Sequence, residues 1–220
     1  MDRIIDDESR KYLKDKFESL TDEVDINVYY DDDNDEARDY VEFTKKFASE
    51  IADISDKIKL SLVQSKIGSQ TKSGMTIRTN PSITIGEDRG YKILFSGSPL
   101  GYEASQIVET IVMVSTGNHE FDENIANELK SVSKDVHIKV FVTPTCPYCP
   151  GSAYLANRVA VASGGKVLSE TIEANENPDL AVQWGIESVP TQIINDDEQS
   201  ITIGLQGENE FVNLVLSYGK

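Results

Sequence analysis

The chain repeats itself at long range. The stretch ESLTDEVDINVYY, from Glu18, and the stretch KSVSKDVHIKVFV, from Lys130, lie 112 residues apart. Each reads as the end of an amphipathic helix, a short polar break and a strand of β-formers. The preceding helices match at the same offset, with Leu13, Phe17 and Leu20 set against Ile125, Leu129 and Val132, each triplet at i, i+4, i+7. Farther on, NPSITIGEDRGYKILFSG around Pro81 pairs with VPTQIINDDEQSITIGLQG around Pro190 at an offset of 109. Both are an X-Pro, a strand, an acidic turn, a second strand and a glycine. A period of about a hundred residues is too long for a solenoid unit and indicates duplication of a small domain.

Each half is therefore predicted to run helix, strand, helix, strand, X-Pro with a hairpin, and a closing helix, YEASQIVETIVMV in the first half and ENEFVNLVLSY in the second. The crossover between the first two strands suits a parallel βαβ unit, and the strands after the proline are close enough for an antiparallel hairpin. The expected fold class is α/β, a mixed central sheet flanked by helices. The polar segment STGNHE, residues 115–120, places the boundary, dividing the chain into units 1–115 and 116–220.

Charge narrows the partners. With 38 acidic against 21 basic residues the net charge is −17 and the pI about 4.4, which opposes binding to nucleic acid or an anionic membrane. The most apolar segment, residues 107–114, is far shorter than the roughly 20 residues that cross a bilayer. The start, MDRIIDDESRKYLKDKFESL, has no continuous apolar segment of the signal-peptide kind. The expected location is the cytoplasm, where structural disulfides are rare and catalytic ones are not.

The only two cysteines sit two residues apart in FVTPTCPYCPG, after a strand ending at Val142 and before the helical pattern SAYLANRVAVAS. Cys146 and Cys149 are thus expected at a helix N-terminus, with Pro147 tolerated in the first turn. Free N–H groups and the helix dipole lower a thiol pKa there. Cys146, nearer the strand, is expected to be the exposed nucleophile. Cys149, one turn on, is expected to be more buried and able to attack a mixed disulfide on Cys146. Two other readings are weaker. Zinc wants four ligands, and the remaining candidates, His119 and His137, are predicted on the surface far from the loop, so no metal is expected. An inert structural bridge across so short a loop restrains the unfolded chain little. In SVPTQII, Pro190 enters a strand, a position that a cis X-Pro turn accommodates.

Strand, CPYC, helix and then Val189-Pro190 before a hairpin resembles the thioredoxin superfamily, with the Pro147-Tyr148 pair typical of glutaredoxins. The tandem arrangement is similar to that of the protein disulfide oxidoreductases described mainly from heat-loving prokaryotes. The resemblance implies two tandem thioredoxin-like units sharing one sheet, with Cys146 attacking, Cys149 resolving, and Pro190 a cis-proline against the disulfide. It also implies a Val189 backbone that bonds the substrate chain, a contact that reads little sequence. Two departures matter. In the first unit the cysteine positions fall on Asp35 and Arg38, which can pair at i, i+3 but cannot exchange disulfides. The superfamily's buried acid, six positions before the first cysteine, is here Val140, leaving Glu173 as a weak substitute for the proton acceptor of Cys149.

The sequence thus implies a thiol:disulfide oxidoreductase acting on protein disulfides or dithiols, with no cofactor beyond the reversible Cys146–Cys149 disulfide. A thioredoxin-reductase-like flavoprotein is a candidate reductant. Two alternatives stand beside this reading: a dedicated electron carrier from a flavoprotein to a peroxidase, and a binding or chaperone module in which the thiols are incidental. The motif does not set the direction of transfer, because reduction potential depends on how each redox state is stabilised. The acidic run at residues 31–36 lacks EF-hand spacing and reads as a solvated loop capping the helix that follows. Trp184 fits a substrate-side aromatic and a core residue equally well.

Overall fold

Polar caps and apolar stripes start the first helix of each half where the repeat predicts it. In the computed structural model, which describes residues 3–220, Asp6 accepts from Ser9 N at 2.7 Å to open α1 (Asp7–Phe17), and Asp122 accepts from Ile125 N at 2.9 Å to open α4 (Glu123–Lys130). These are equivalent helices, one in each half, and their inward residues Leu13, Phe17, Ala126 and Leu129 are buried. The first half continues with β1 (Val24–Tyr30), α2 (Arg38–Ala52), β2 (Ile58–Gln64), β3 (Ser82–Ile85), β4 (Lys92–Ser96) and α3 (Glu103–Thr116). The second continues with β5 (Val136–Val142), α5 (Cys149–Ala162), β6 (Val167–Glu173), α6 (Pro178–Gln183), β7 (Thr191–Ile194), β8 (Thr202–Ile203) and α7 (Glu208–Gly219).

The eight strands make one sheet in the order β2-β1-β3-β4-β6-β5-β7-β8. The order 2-1-3-4 thus occurs twice, side by side, and the halves meet where β4 pairs with β6 in parallel. Six strands run one way, and β3 and β7 run against them. β5 is buried along its length except at His137, because helices cover both faces of a central parallel strand. The halves differ between their second and third strands. The second carries α6 there, whereas the first carries a long loop with one isolated bridge, Gln70 to Thr76. The expected boundary at residue 115 falls inside the last turn of α3, which ends at Gly117 in the left-handed region, φ 68°.

The seam between the halves is polar as well as apolar. Asn157 of α5 donates to Gln106 Oε1 at 3.0 Å and to Thr110 Oγ1 at 2.9 Å on α3, and accepts from Ser169 Oγ at 2.7 Å. Glu170 of β6 is buried, accepts from Ser96 Oγ of β4 at 2.7 Å, and lies 2.8 Å from His137 Nε2. His137, expected on the surface, is therefore a seam residue, because its register opposite Leu168 turns it onto the face that carries Glu170. Ala160 and Val161 of α5 belong to the same apolar cluster as Ile111, Val28 and Ile83 of the first half. Since one core spans the seam, Ile111→Ala should cost about 2–5 kcal/mol. It should lower a single denaturation midpoint common to both halves, as read by far-UV circular dichroism and Trp184 fluorescence.

Candidate functional site: the Cys146–Cys149 disulfide

The loop from Thr143 to Tyr148 leaves the carboxyl end of β5 and turns back through Cys146 N donating to Thr143 O at 3.2 Å. Cys149 is the first residue of α5, and Pro150 lies in its first turn, where a missing N–H costs nothing. Pro147 precedes the helix and does not form part of it, contrary to expectation. The two cysteines form a disulfide with Cα atoms 5.4 Å apart. Cys149 is fully buried, whereas Cys146 retains 8% exposure. The burial order matches the expectation, but Cys146 is a sliver of surface and not an openly exposed thiol. The reason is the segment before β7: the Val189 carbonyl oxygen stands 3.7 Å from Cys146 Sγ, and Pro190, joined by a cis bond, is buried beside it.

Around that sliver stand Pro147, Tyr148 and Leu205, with the polar Thr145 and Ser188 also exposed. Pro147 is exposed and Tyr148 is 65% exposed. Leu205 lies against Gly151 on the helix and is half exposed. Gln192, buried two residues after Pro190, ties the neighbourhood together: its amide donates to Ser152 Oγ at 2.5 Å and to Gly204 O at 3.0 Å, and its oxygen accepts from Thr202 Oγ1 at 2.6 Å. The first turn of α5 and the hairpin β7–β8 are thereby joined. Trp184 ends α6 and packs with Phe141, Ile172 and Ile193, with Lys139 Nζ 5.6 Å from its ring centre, so it serves a core cluster.

The first half reaches into this site. Gly101, at φ 58°, sits so close to the loop that an added Cβ would lie 2.2 Å from Pro144 O. The next residue, Tyr102, donates its N–H to that same oxygen at 3.0 Å. Glu103 follows, opening α3, fully buried and with neither carboxyl oxygen hydrogen-bonded. Burial, reinforced by the nearby Glu173 carboxylate, pushes its pKa up to about 8. Glu173 is also buried and shifted upward by desolvation, but its oxygens are occupied by Glu176 N at 2.6 Å and Asn175 Nδ2 at 2.9 Å. Glu176 accepts from Ser98 N at 2.8 Å, and burial, with Glu173 adding to it, raises its pKa to about 7. Sequence reasoning missed Glu103. An acid at the start of a helix is an ordinary dipole partner, and only the packing of one half on the other buries it.

In the first half Asp35 and Arg38 do form an exposed ion pair, and Asn34 Oδ1 accepts from Ala37 N to cap the short turn between them. Asn80-Pro81 is cis, like Val189-Pro190. His119 is half-buried, its Nδ1 accepting from Phe121 N at 3.2 Å, and burial lowers its pKa. Among the described residues no three His, Cys, Asp or Glu side chains are arranged to hold a metal ion, and no helix is long and apolar enough to cross a membrane.

A fully buried sulfur at a helix start, disulfide-bonded to a partly open one three residues before it and faced by the Val189 carbonyl and a cis-proline, sits in a thioredoxin-like fold. Known proteins agree. A thioredoxin-domain family model matches residues 136–216. The thioredoxin of Methanocaldococcus jannaschii is 39% identical over 66 residues, 30% of this chain and 78% of that protein. The crystal structure of a protein disulfide oxidoreductase from Aeropyrum pernix superimposes with a TM-score of 0.85 at 26% identity, covering 100% of this chain and 94% of that one. An alkyl hydroperoxide reductase component of Staphylococcus aureus is 27% identical over 120 residues, 53% of this chain and 21% of that protein. The chain belongs to the thioredoxin superfamily. It spans less than a third of the longer curated relatives it matches.

The folded protein keeps a proton on Glu103 up to about pH 8, whereas an unfolded chain releases it near 4.5. The native state therefore binds more protons across that window, and its stability falls as pH rises through it. Glu173 and Glu176 shift the same way, so Glu103→Gln should lessen the loss without removing it, by about 1.4 kcal/mol for each pKa unit that Glu103 is displaced. Denaturant midpoints of the oxidised parent and variant at pH 5 and pH 9 measure this.

Proposed function

We propose that the protein exchanges disulfides with protein substrates, Cys146 attacking and Cys149 resolving. The observation that carries this reading is the burial difference at the disulfide: Cys146 has an accessible edge and Cys149 has none, so an incoming sulfur meets Cys146 first. In the reduced protein the first-turn N–H groups of α5 favour the Cys146 thiolate. That thiolate attacks a substrate disulfide, forming a mixed disulfide and releasing one substrate thiolate. Cys149 then loses its proton and attacks Cys146 Sγ, which closes the internal disulfide and releases the second substrate thiolate. Two electrons pass to the substrate, and the reverse sequence oxidises a substrate dithiol.

Glu103 is the proton acceptor for Cys149 in this scheme, in place of Glu173. It is unpaired, it follows the residue bonded to the cysteine loop, and its pKa lies close to that of a thiol. Pro147 and Tyr148 supply apolar contact to the substrate, and the Val189 backbone beside Pro190 supplies hydrogen bonds. The Cys146–Cys149 dithiol carries the two electrons without a bound cofactor, and the internal disulfide is its discharged form. A dithiol on a thioredoxin-reductase-like flavoprotein would recharge it in the cytoplasm. A second reading, a carrier between a flavoprotein and a peroxidase, is favoured by the likeness to the alkyl hydroperoxide reductase component over 53% of this chain. Preferential transfer to one peroxidase over general protein disulfides would select it.

Turnover of a model protein disulfide tests the scheme. Cys146→Ser should abolish it, and Cys149→Ser should accumulate a mixed disulfide on Cys146. Trapping on Cys149 in the Cys146→Ser variant, at equal yield, would reverse the assignment. Glu103→Gln should slow resolution of the mixed disulfide by up to about 10²-fold, the lower end of a general base's contribution.

Units 1–115 and 116–220 divide the labour in this proposal, with no redox step in the first. Asp35 and Arg38 form a surface pair of a kind that contributes only about 0.2–0.5 kcal/mol. The protein should titrate as one dithiol, and Asp35→Ala should leave turnover of small disulfides near that of the parent.

A further inference from the structure

The first half keeps the outline of an exchange site without its sulfurs. Because β1 and β5 run the same way and β3 and β7 run against them, the loops after β1 and β5 and the starts of β3 and β7 share one rim of the sheet. Asp35 and Arg38 stand on that rim as the cysteines do in the second half, and Asn80 precedes Pro81 as Val189 precedes Pro190. Where a substrate strand would lie in the first half there is a cavity of about 310 Å3, lined by Asn34, Tyr40, Thr79 and Asn80 from the first half and Asn175 and Asn177 from the second.

The Asn80 side chain is committed to the backbone of Asp31, donating to its oxygen and accepting from its N–H at 2.9 Å each. The Asn80 backbone N–H and carbonyl have no hydrogen-bond partner among the described residues. Charge at the cavity is one-sided. Glu36 and Glu176 line it; Glu176 accepts from Ser98 N at 2.8 Å, and Glu36 has no ion-pair partner among the described residues, while the nearby Asp35 is balanced by Arg38. The one cation lining it, Arg78, lies 3.6 Å from the buried Glu170 carboxylate.

We propose that this cavity binds, without covalent chemistry, an extended peptide segment bearing a basic side chain, its backbone pairing with Asn80 and its cation meeting Glu36. The choice of a peptide rests on the exchange reading above; the cavity and its charge do not. From β1, whose following turn carries Glu36, to β5 is four strand spacings, roughly 19 Å or about six residues of extended chain. The first half therefore selects protein substrates that carry Lys or Arg about that far from the cysteine presented to Cys146.

The test uses the full chain with Cys146→Ser and Cys149→Ser, and a fluorescein-labelled, cysteine-free peptide of alternating lysine and valine, with its glutamate counterpart as control. Fluorescence anisotropy should show saturable binding of the lysine peptide about tenfold tighter than the glutamate one, and Glu36→Lys should erase that preference. Backbone amide shifts should centre on residues 34–40, 79–80 and 175–177. Equal binding of both peptides, shifts confined to residues 143–149 and 189–190, or no saturable binding would each overturn the proposal. Neither protein nor probe carries a thiol, so such a failure would leave disulfide exchange standing. Loss of exchange in the parent, with lysine-peptide binding intact, would remove the exchange reading alone.

Discussion

Everything distinctive about this molecule follows from one backbone pairing, the parallel ladder between β4 and β6 that runs from Lys92 opposite Leu168 to Ser96 opposite Ile172. Each half ends in strands whose outer edge would otherwise present unpaired N–H and C=O groups to other chains. Joining β4 to β6 removes two such edges at once and makes a single sheet. It also brings Glu170 under Ser96 and His137, and Asn157 between Gln106 and Thr110. Buried polar groups of this kind are costly unless partnered. They therefore favour one lateral placement of the halves over neighbouring ones.

That placement also brings the first half against the cysteine loop. In a lone unit of this fold the loop before Cys146 would face water. Here Gly101 and Tyr102 press on Pro144, and the next residue, Glu103, is fully buried with no hydrogen-bond partner. A carboxyl group in that position stays protonated far above its ordinary range, because burial penalises the charged form and Glu173 adds repulsion. The half that lacks cysteines thus places an ionisable group one residue after the backbone that bonds the cysteine loop.

Much of this was legible beforehand. The duplication, the helix and strand order, the cysteine-bearing turn and the cis-proline before β7 are all local or repeat signals. Leu13 and Leu129 mark their helices by spacing, and Pro190 marks its strand by where a proline can stand. The outcome for Cys146 was partly legible: its burial relative to Cys149 follows from helix position, but the closeness of the Val189 carbonyl depends on a strand 43 residues away.

What the sequence determined by itself is what neighbouring residues decide: the two units, the exchange-competent Cys146–Cys149 pair, and the absence of sulfur at Asp35 and Arg38. What only the tertiary structure decided is whatever requires the halves to meet. Glu170 reads as a solvent-facing strand residue until β4 pairs with β6 and sets it against Ser96 and Arg78 of the first half. Glu103 reads as a helix-dipole acid until α3 packs on α5 and the fold buries it completely. The physical reason is that pKa and partnership depend on desolvation and on distances through space, and in this chain those are set across a seam that joins residues as far apart in sequence as Ser96 and Glu170.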